Sequence, residues 1–473
     1  MSKELRSTSP ADPRDEIGRY PIANAAAVGR AVERARAAFP GWRDLGFEGR
    51  AALLRRFRDI SADARDQLST LIAREVGKAL WDARGEAKLV PAKVDLSLDE
   101  GMRAVATLEA GPGIRATYHP RGVLAVLGPF NFPAHLPNGH IVPALATGNT
   151  VVFKPSELAA GVGDWLVRAY EKAGLPEGVL QVVHGARDTG EALARHCEVD
   201  GVLFTGSYAA GRAIEAAAID QPDKLVALEM GGRNAIVVLQ DADLELAVAE
   251  TALSICATTG QRCSCASRLF VHETRIDEFS DKLSAVLRGI VIGNPLDEGV
   301  FMGPLISQAA RAKVDHYRAL GVQAGGERVL CVEPDLPSPF VGPGLARFTN
   351  CEQTHPMQRD EIFGPEAALY PIADLDEAIA AVNDSDYGLV ASVFSKTRAN
   401  YEHCIGRIET GLLNWNKGTI GASGKLPFGG QKRSGNHRPA GVAASLYCTN
   451  AQAHLENEAP FDPASLPPGM PRP

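Results

Sequence analysis

The sharpest chemical signal in the chain is a thiol on a glycine–glutamine loop. The segment TTGQRCSC (258–265) places Cys263 just ahead of an apolar run, SRLFV (267–271), so the thiol sits where a loop enters a strand. Eight cysteines occur, at 197, 256, 263, 265, 331, 351, 404 and 448, scattered and mostly in apolar surroundings. In a chain of this size such cysteines read as free thiols rather than a disulfide framework. A buried inert thiol is the ordinary fate of one cysteine, and a nucleophile is the sharper alternative for Cys263. Zinc suits the pair Cys263 and Cys265 poorly, because one residue separates them and no second pair or nearby histidine completes four ligands.

Other segments offer partners for such a thiol. LEMGGRN (228–234) ends an apolar run with Glu229 and two glycines, where apolar neighbours can raise a carboxyl pKa and make it a general base. GPFNFP (128–133) reads as a turn, or as a loop aiming the Asn131 amide at a developing negative charge. FKPSE (153–157) puts Lys154 and Glu157 at the carboxyl end of a predicted strand, the edge where open α/β sheets bind ligands. Its bland reading is an exposed charged loop. FTGSYAAG (204–211) follows a predicted strand and opens a predicted helix, a tight turn or an anion site at a helix N-terminus. It is neither a Walker loop nor a GxGxxG fingerprint. EIFGPE (361–366) offers Glu361 and Phe363 before another strand.

These segments need a frame to bring them together. Residues 24–84 read as helices, with Leu53, Leu54, Phe57, Ile60, Ala64, Leu68, Leu71 and Ile72 on one face. From 122 onward short apolar runs alternate with helical stretches: 123–127, 150–153, 179–183, 201–204, 225–229 and 235–239. Spacings of about 10 to 20 residues accommodate crossover helices, which implies a parallel sheet covered on both faces. A second series at 267–271, 366–372, 390–395 and 410–415 implies a second α/β domain. The stretch 99–121 reads as a protruding hairpin, and the proline-rich tail from 456 as a surface or disordered segment.

Composition narrows the function further. Hydrophobic residues make up 45% and charged residues 22%, as in ordinary globular proteins. A net charge of −8 argues against nucleic-acid binding. There is no membrane-spanning run and no signal-peptide core at the first residues, so the cytoplasm is the expected compartment.

In order along the chain, FNFP, KPSE, FTGSxxxG, ExGG, GQxC, EIFGP and PFGG (427–430) resemble the aldehyde dehydrogenase superfamily over nearly the whole length. The resemblance implies two Rossmann-like α/β domains and a small oligomerisation element. The NAD-binding domain would span 1–98 and 122–231, the catalytic domain 232–430, the oligomerisation element 99–121 and 431–455, with 456–473 as a tail. It also implies Cys263 as nucleophile, Glu229 as general base and Asn131 as oxyanion amide. Pro129, Phe130, Lys154, Ser156, Glu157, Gly206, Ser207, Gly211, Glu361 and Phe363 would contact NAD. HLPNGHIVPALATGNT (135–150), GQRCSCASR (260–268) and SGNHRPA (434–440) resemble one branch, the succinylglutamate semialdehyde dehydrogenases of arginine catabolism. That branch implies a small aldehyde carrying remote carboxylates, met by Arg262, Lys417 or His135, with Arg268 and Arg438 as further cations. A homodimer or homotetramer is the implied assembly. Relative to the family the N-terminal region is short by a strand, and Arg233 stands where many relatives carry lysine or asparagine. The competing enzyme class, a thiol acyltransferase or hydrolase, would want a histidine near the thiol, and 250–271 contains none. A binding protein on the same fold would have no use for Cys263, Glu229 and Asn131 together.

Overall fold

The computed structural model describes residues 4–462 and 465–472. A hairpin of β1 (Glu4–Thr8) and β2 (Glu16–Pro21) precedes four helices, α1 (Ala25–Asp44), α2 (Gly46–Asp63), α3 (Arg65–Val76) and α4 (Leu80–Leu96). The hairpin strands are short and polar, so no apolar alternation marks them in the sequence. The single helical face expected over 53–72 is carried by two helices. The backbone leaves the helix at Ala64 (φ −92°, ψ 14°), yet Leu53, Leu54, Phe57, Leu68 and Ile72 still join one core. Next, β3 (Leu108–Gly111) and β4 (Ile114–Pro120) form a hairpin within the 99–121 stretch.

Five parallel strands follow: β5 (Val123–Leu127), β6 (Thr150–Lys154), β7 (Leu180–Val182), β8 (Gly201–Gly206) and β9 (Leu225–Met230). They are linked by α5 (His135–Ala146), α6 (Ala160–Lys172), α7 (Arg187–Arg195) and α8 (Tyr208–Ala217), and lie in the order β7-β6-β5-β8-β9. Both faces are buried, which is why these strands read as unbroken apolar runs. Leu124, Val126, Val151 and Phe153 pack into one core, while Val123, Ala125, Leu127 and Val152 pack into another. The order reverses between β5 and β8, which makes a crevice at their carboxyl ends.

The run at 235–239 does not extend this sheet. As β10 (Asn234–Val238) it sits inside a second, seven-stranded sheet, between β11 (Ala266–His272) and β16 (Val390–Phe394). The remaining strands there are β12 (Glu327–Cys331), β13 (Gly344–Arg347), β14 (Glu366–Ile372) and β17 (Leu412–Trp415), in the order β12-β13-β14-β11-β10-β16-β17. Apolar runs show that a strand is buried on both faces, not which neighbours it pairs with. The short strands β12 and β13 have no equivalent in the sequence reading. Helices α9 (Leu244–Cys256), α10 (Ile276–Arg288), α11 (Gln308–Gln323), α12 (Pro356–Arg359), α13 (Leu375–Asn383) and α14 (Arg398–Cys404) belong to this half of the chain. The two-residue strands β15 (Tyr387–Gly388) and β18 (Gln431–Lys432) pair with each other. After α15 (Ala444–Tyr447), β19 (Thr449–Leu455) pairs with β4 and completes a three-stranded sheet. Residues 456–462 are exposed. Among the described residues no helix is long and apolar enough to cross a membrane.

Candidate active site

A cavity of about 770 Å³ opens at the β5/β8 crevice and runs to the Cys263 loop. The loop is built by opposing constraints. α9 ends at Cys256, and Thr258 and Thr259 then adopt left-handed φ values of 52° and 55°, uncommon for branched side chains. Hydrogen bonds hold the strain: Thr259 Oγ1 donates to the Gly303 carbonyl (2.9 Å), and the Ile306 N–H donates to Gln261 Oε1 (3.0 Å). The Asn234 amide, at the start of β10, donates to the carbonyls of Cys263 (2.7 Å) and Cys265 (2.9 Å). Gly260 has φ +71°, and a Cβ there would lie 2.2 Å from the Gly364 carbonyl carbon, so the GQ and FGP motifs touch backbone to backbone.

Glu229 is the penultimate residue of β9 and only 1% exposed. The segment 434–436 clips this strand end: the Met230 N–H donates to the Ser434 carbonyl (3.0 Å) and the Leu228 N–H to Asn436 Oδ1 (2.8 Å). Among the described residues neither Glu229 carboxyl oxygen has a partner within hydrogen-bond geometry. Burial pushes this carboxyl up to about 8, with the Cys263 thiol pulling the other way and Glu361 adding to the rise. Burial first, and then the Glu229 and Glu361 charges, hold the Cys263 thiol well above its ordinary range. Asn131, 5% exposed, donates one amide N–H to the Gln261 carbonyl (2.8 Å), which ties the FNFP loop to the thiol loop. Its second N–H remains uncommitted, and among the described residues the Cys263 backbone N–H donates to nothing. Thiol, carboxyl and amide all lie on the wall of the same cavity.

The rest of the cavity suits a long ligand with polar groups along its length. Glu361 lines it, accepts from the Gly232 N–H (2.9 Å) and is pushed by burial up to about 6. A Cβ on Gly231 would fall 2.0 Å from the Glu361 carboxylate, so the two glycines of EMGG let this acid approach. Phe363 (φ 58°) meets Phe130 edge to face at 5.8 Å, and both line the cavity beside Pro129. At the far end Lys154, mostly buried, donates to the carbonyls of Pro155 (2.9 Å) and Gly185 (2.8 Å), and Glu157 lies 3.6 Å from its ammonium. Ser156 lines the wall there. Between the two ends, Gly206 and Ser207 form the β8–α8 turn, and Ser207 caps α8 by accepting from the Ala210 N–H. A dinucleotide fits this set: diol acceptors at both ends, a helix N-terminus for a pyrophosphate, and an apolar helix face of Ala209, Ala210, Ala213 and Ala217 for a base.

Several expected positions lie elsewhere. Gly211 is behind the cavity, where a Cβ would strike Met230 Sδ at 2.4 Å; it allows α8 to pack on β9. Arg262 is committed to the buried Asp82 (2.8 Å) and to Thr258 Oγ1 (2.8 Å), so it is not a free cation for substrate. Arg268 is buried and donates to the Arg233, Ala381 and Val382 carbonyls and to Gln353. His135 is off the cavity wall, with its backbone N–H donated to Glu86 (3.0 Å) and its ring pushed down to about 3 by burial. Arg438 donates to the Gly430 carbonyl. Lys417 alone among these cations is exposed, held by one long contact to the Gly421 carbonyl (3.3 Å). Arg233 is buried and donates to the Met357 and Gln358 carbonyls, fixing the chain ahead of Glu361. The sequence reading missed Lys313, which lines the cavity and donates to the Glu361 carbonyl (2.8 Å). It sits mid-helix in α11 among other charges, and no motif marks it.

Comparisons with known proteins show the family and the fold. Residues 1–453 match the aldehyde dehydrogenase family. The N-succinylglutamate 5-semialdehyde dehydrogenase of Burkholderia ambifaria (strain MC40-6) is 41% identical over 456 residues, covering 95% of this chain and 93% of that protein. Its counterpart in Burkholderia multivorans is 40% identical over 457 residues, with the same coverage. Among solved structures, PnpE in complex with nicotinamide adenine dinucleotide superposes with a TM-score of 0.91 at 30% identity, covering 98% of this chain and 96% of that one. An NAD-dependent aldehyde dehydrogenase from Sinorhizobium meliloti also gives 0.91 at 30% identity, covering 97% and 93%.

Proposed function

This chain belongs to the aldehyde dehydrogenase family, and within it we propose that it oxidises N-succinyl-L-glutamate 5-semialdehyde to N-succinyl-L-glutamate with NAD as acceptor. The observation that carries the chemistry is the meeting of Cys263, Glu229 and Asn131 on one cavity wall. An aldehyde carbon has no hydride to release until a nucleophile makes it tetrahedral. Once its proton has passed to solvent through the open cavity, the Cys263 thiolate forms the C–S bond as the carbonyl π bond breaks, leaving the charge on oxygen as the anion of a thiohemiacetal. The free Asn131 N–H and the Cys263 backbone N–H are the donors that hold this oxyanion; losing one such donor typically costs about 3 kcal/mol. NAD, when bound, would supply the hydride acceptor and a positive charge that favours the thiolate. Lys154 and Glu157 would hold one ribose and Glu361 the other, with Pro129, Phe130, Ser156, Gly206, Ser207 and Phe363 shaping the walls between. The remaining thioester is opened by water, whose proton goes to the Glu229 carboxylate.

The substrate assignment rests on the relatives' names and on one available cation. With Arg262, Arg268 and Arg438 already engaged, Lys417, exposed and outside the residues that line the cavity, is the expected cation that remains to meet a substrate carboxylate. A cytoplasmic homodimer or homotetramer, assembling through 99–121 and 431–455, belongs to the same proposal. The test follows NADH absorbance with the dicarboxylate semialdehyde and with an uncharged aldehyde of similar length. One charge-assisted contact predicts a kcat/KM preference of at least about tenfold for the former. A smaller preference, or faster turnover of simple aliphatic aldehydes, would overturn the substrate and leave the chemistry standing.

A further inference from the structure

Beneath the two catalytic loops, α4 carries a pair of buried carboxylates that the chemistry above does not use. Asp82 and Glu86 are four residues apart and therefore share a helix face. Asp82, 4% exposed, accepts from Arg262 (2.8 Å) and from Thr258 Oγ1 (2.6 Å), and Arg262 Nε donates to the same hydroxyl (2.8 Å). This closed triangle pins the left-handed Thr258 and the residue adjoining Cys263. Glu86, 1% exposed, accepts from the backbone N–H groups of Ala134 (2.9 Å) and His135 (3.0 Å), directly after the loop that carries Asn131. Glu86 also pairs with Lys78 at 2.5 Å, both side chains fully buried. The Lys78 ammonium lies 3.6 Å from the Phe132 ring centroid, and the Arg262 guanidinium lies 5.1 Å from the same ring. One aromatic of the FNFP loop thus contacts cations tied to both carboxylates.

We propose that Asp82 and Glu86 are positioning residues that set the register between the Asn131 amide and the Cys263 thiol, so that α4 aligns the two halves of the oxyanion hole. The proposal rests on reading Asn131 as an oxyanion donor. The Cys263 N–H travels with its own sulfur, so a shift between the loops loses mainly the Asn131 contact. Misplacement by about 1 Å is enough to cost about a hundredfold in rate.

A double-mutant cycle on the full-length enzyme tests this, read as the NADH burst rate with NAD saturating. Asp82→Asn should slow the burst by about 10- to 100-fold with Asn131 present. It should slow it less than about threefold when Asn131 is already Ala, because the aligned contact no longer exists. The KM for NAD should stay within about twofold, and any loss of Tm should be equal in both backgrounds. Thr258→Val, which removes the bridging hydroxyl without unpairing a charge, carries the same cycle should Asp82→Asn not fold. Equal slowing in both backgrounds, or none in the native one, overturns the positioning role and leaves Asn131 as read. A normal burst in Asn131→Ala instead overturns the reading of Asn131, and the positioning role falls with it.

Discussion

Replacing Glu229 by Gln removes the carboxyl that burial, aided by the Glu361 charge and opposed by the Cys263 thiol, pushes from 4.5 up to about 8. Between those two values the folded chain keeps this proton while the unfolded chain has lost it. Folding stability therefore falls as pH rises through that window and levels off above about 8. A carboxyl moved from 4.5 to about 8 carries about 4–5 kcal/mol of differential interaction, at about 1.4 kcal/mol per pH unit. This is an upper bound, since the adjoining cavity admits water. Unfolding entropy of about 2.1 cal/mol/K per residue gives about 1 kcal/mol/K if all 473 residues unfold as one unit, so the Tm gap is at most about 4–5 °C. Calorimetry from pH 4.5 to 9 should show Glu229→Gln level with the native chain at the acid end and more stable at the alkaline end. The same substitution should leave the NADH burst intact while slowing steady turnover, since in the proposed mechanism the carboxylate takes the proton from water. Native deacylation should rise with pH towards about 8, and the variant should lack that limb. Parallel Tm curves across the whole range would refute the raised pKa. A burst lost as completely as turnover would show Glu229 acting on the thiol instead.

Cys263→Ser should abolish NADH formation and leave NAD binding within about twofold, with mass spectrometry of the trapped native enzyme placing the acyl group on Cys263. Cys256 and Cys265 are buried and lie off the cavity wall that Cys263 lines, so an adduct on either would displace Cys263 from its proposed role. Glu157→Ser should relax the preference for NAD over NADP by removing the carboxylate that, on the proposed reading, would repel a 2′-phosphate; unchanged selectivity in kcat/KM would show that Glu157 does not face the adenine ribose.

The sequence by itself determined the chemistry and the parallel sheets. Cys263, Glu229, Asn131 and Glu361 stand in short motifs because backbone turns, close approach and strand ends constrain neighbours along the chain; Gly231 against Glu361 is a direct case. The strands at 123–127 and 150–154 were legible because a strand buried on both faces is apolar throughout. Only the tertiary structure decided matters that depend on distant residues. The strand at 234–238 carries the same apolar signature as the first series, and its sheet is chosen by hydrogen bonds to 266–272 and 390–394. Arg262 reads as a free cation beside the thiol until Asp82, 180 residues earlier, is found to hold it. Lys313 enters the cavity from a helix with no motif, and Glu229 becomes a weak acid because the fold buries it, with the Glu361 charge adding to the rise. Which side chains carry reactive groups is local information. Their pKa values, ion pairs and register are set by burial and long-range contact, and those appear only when the chain closes on itself.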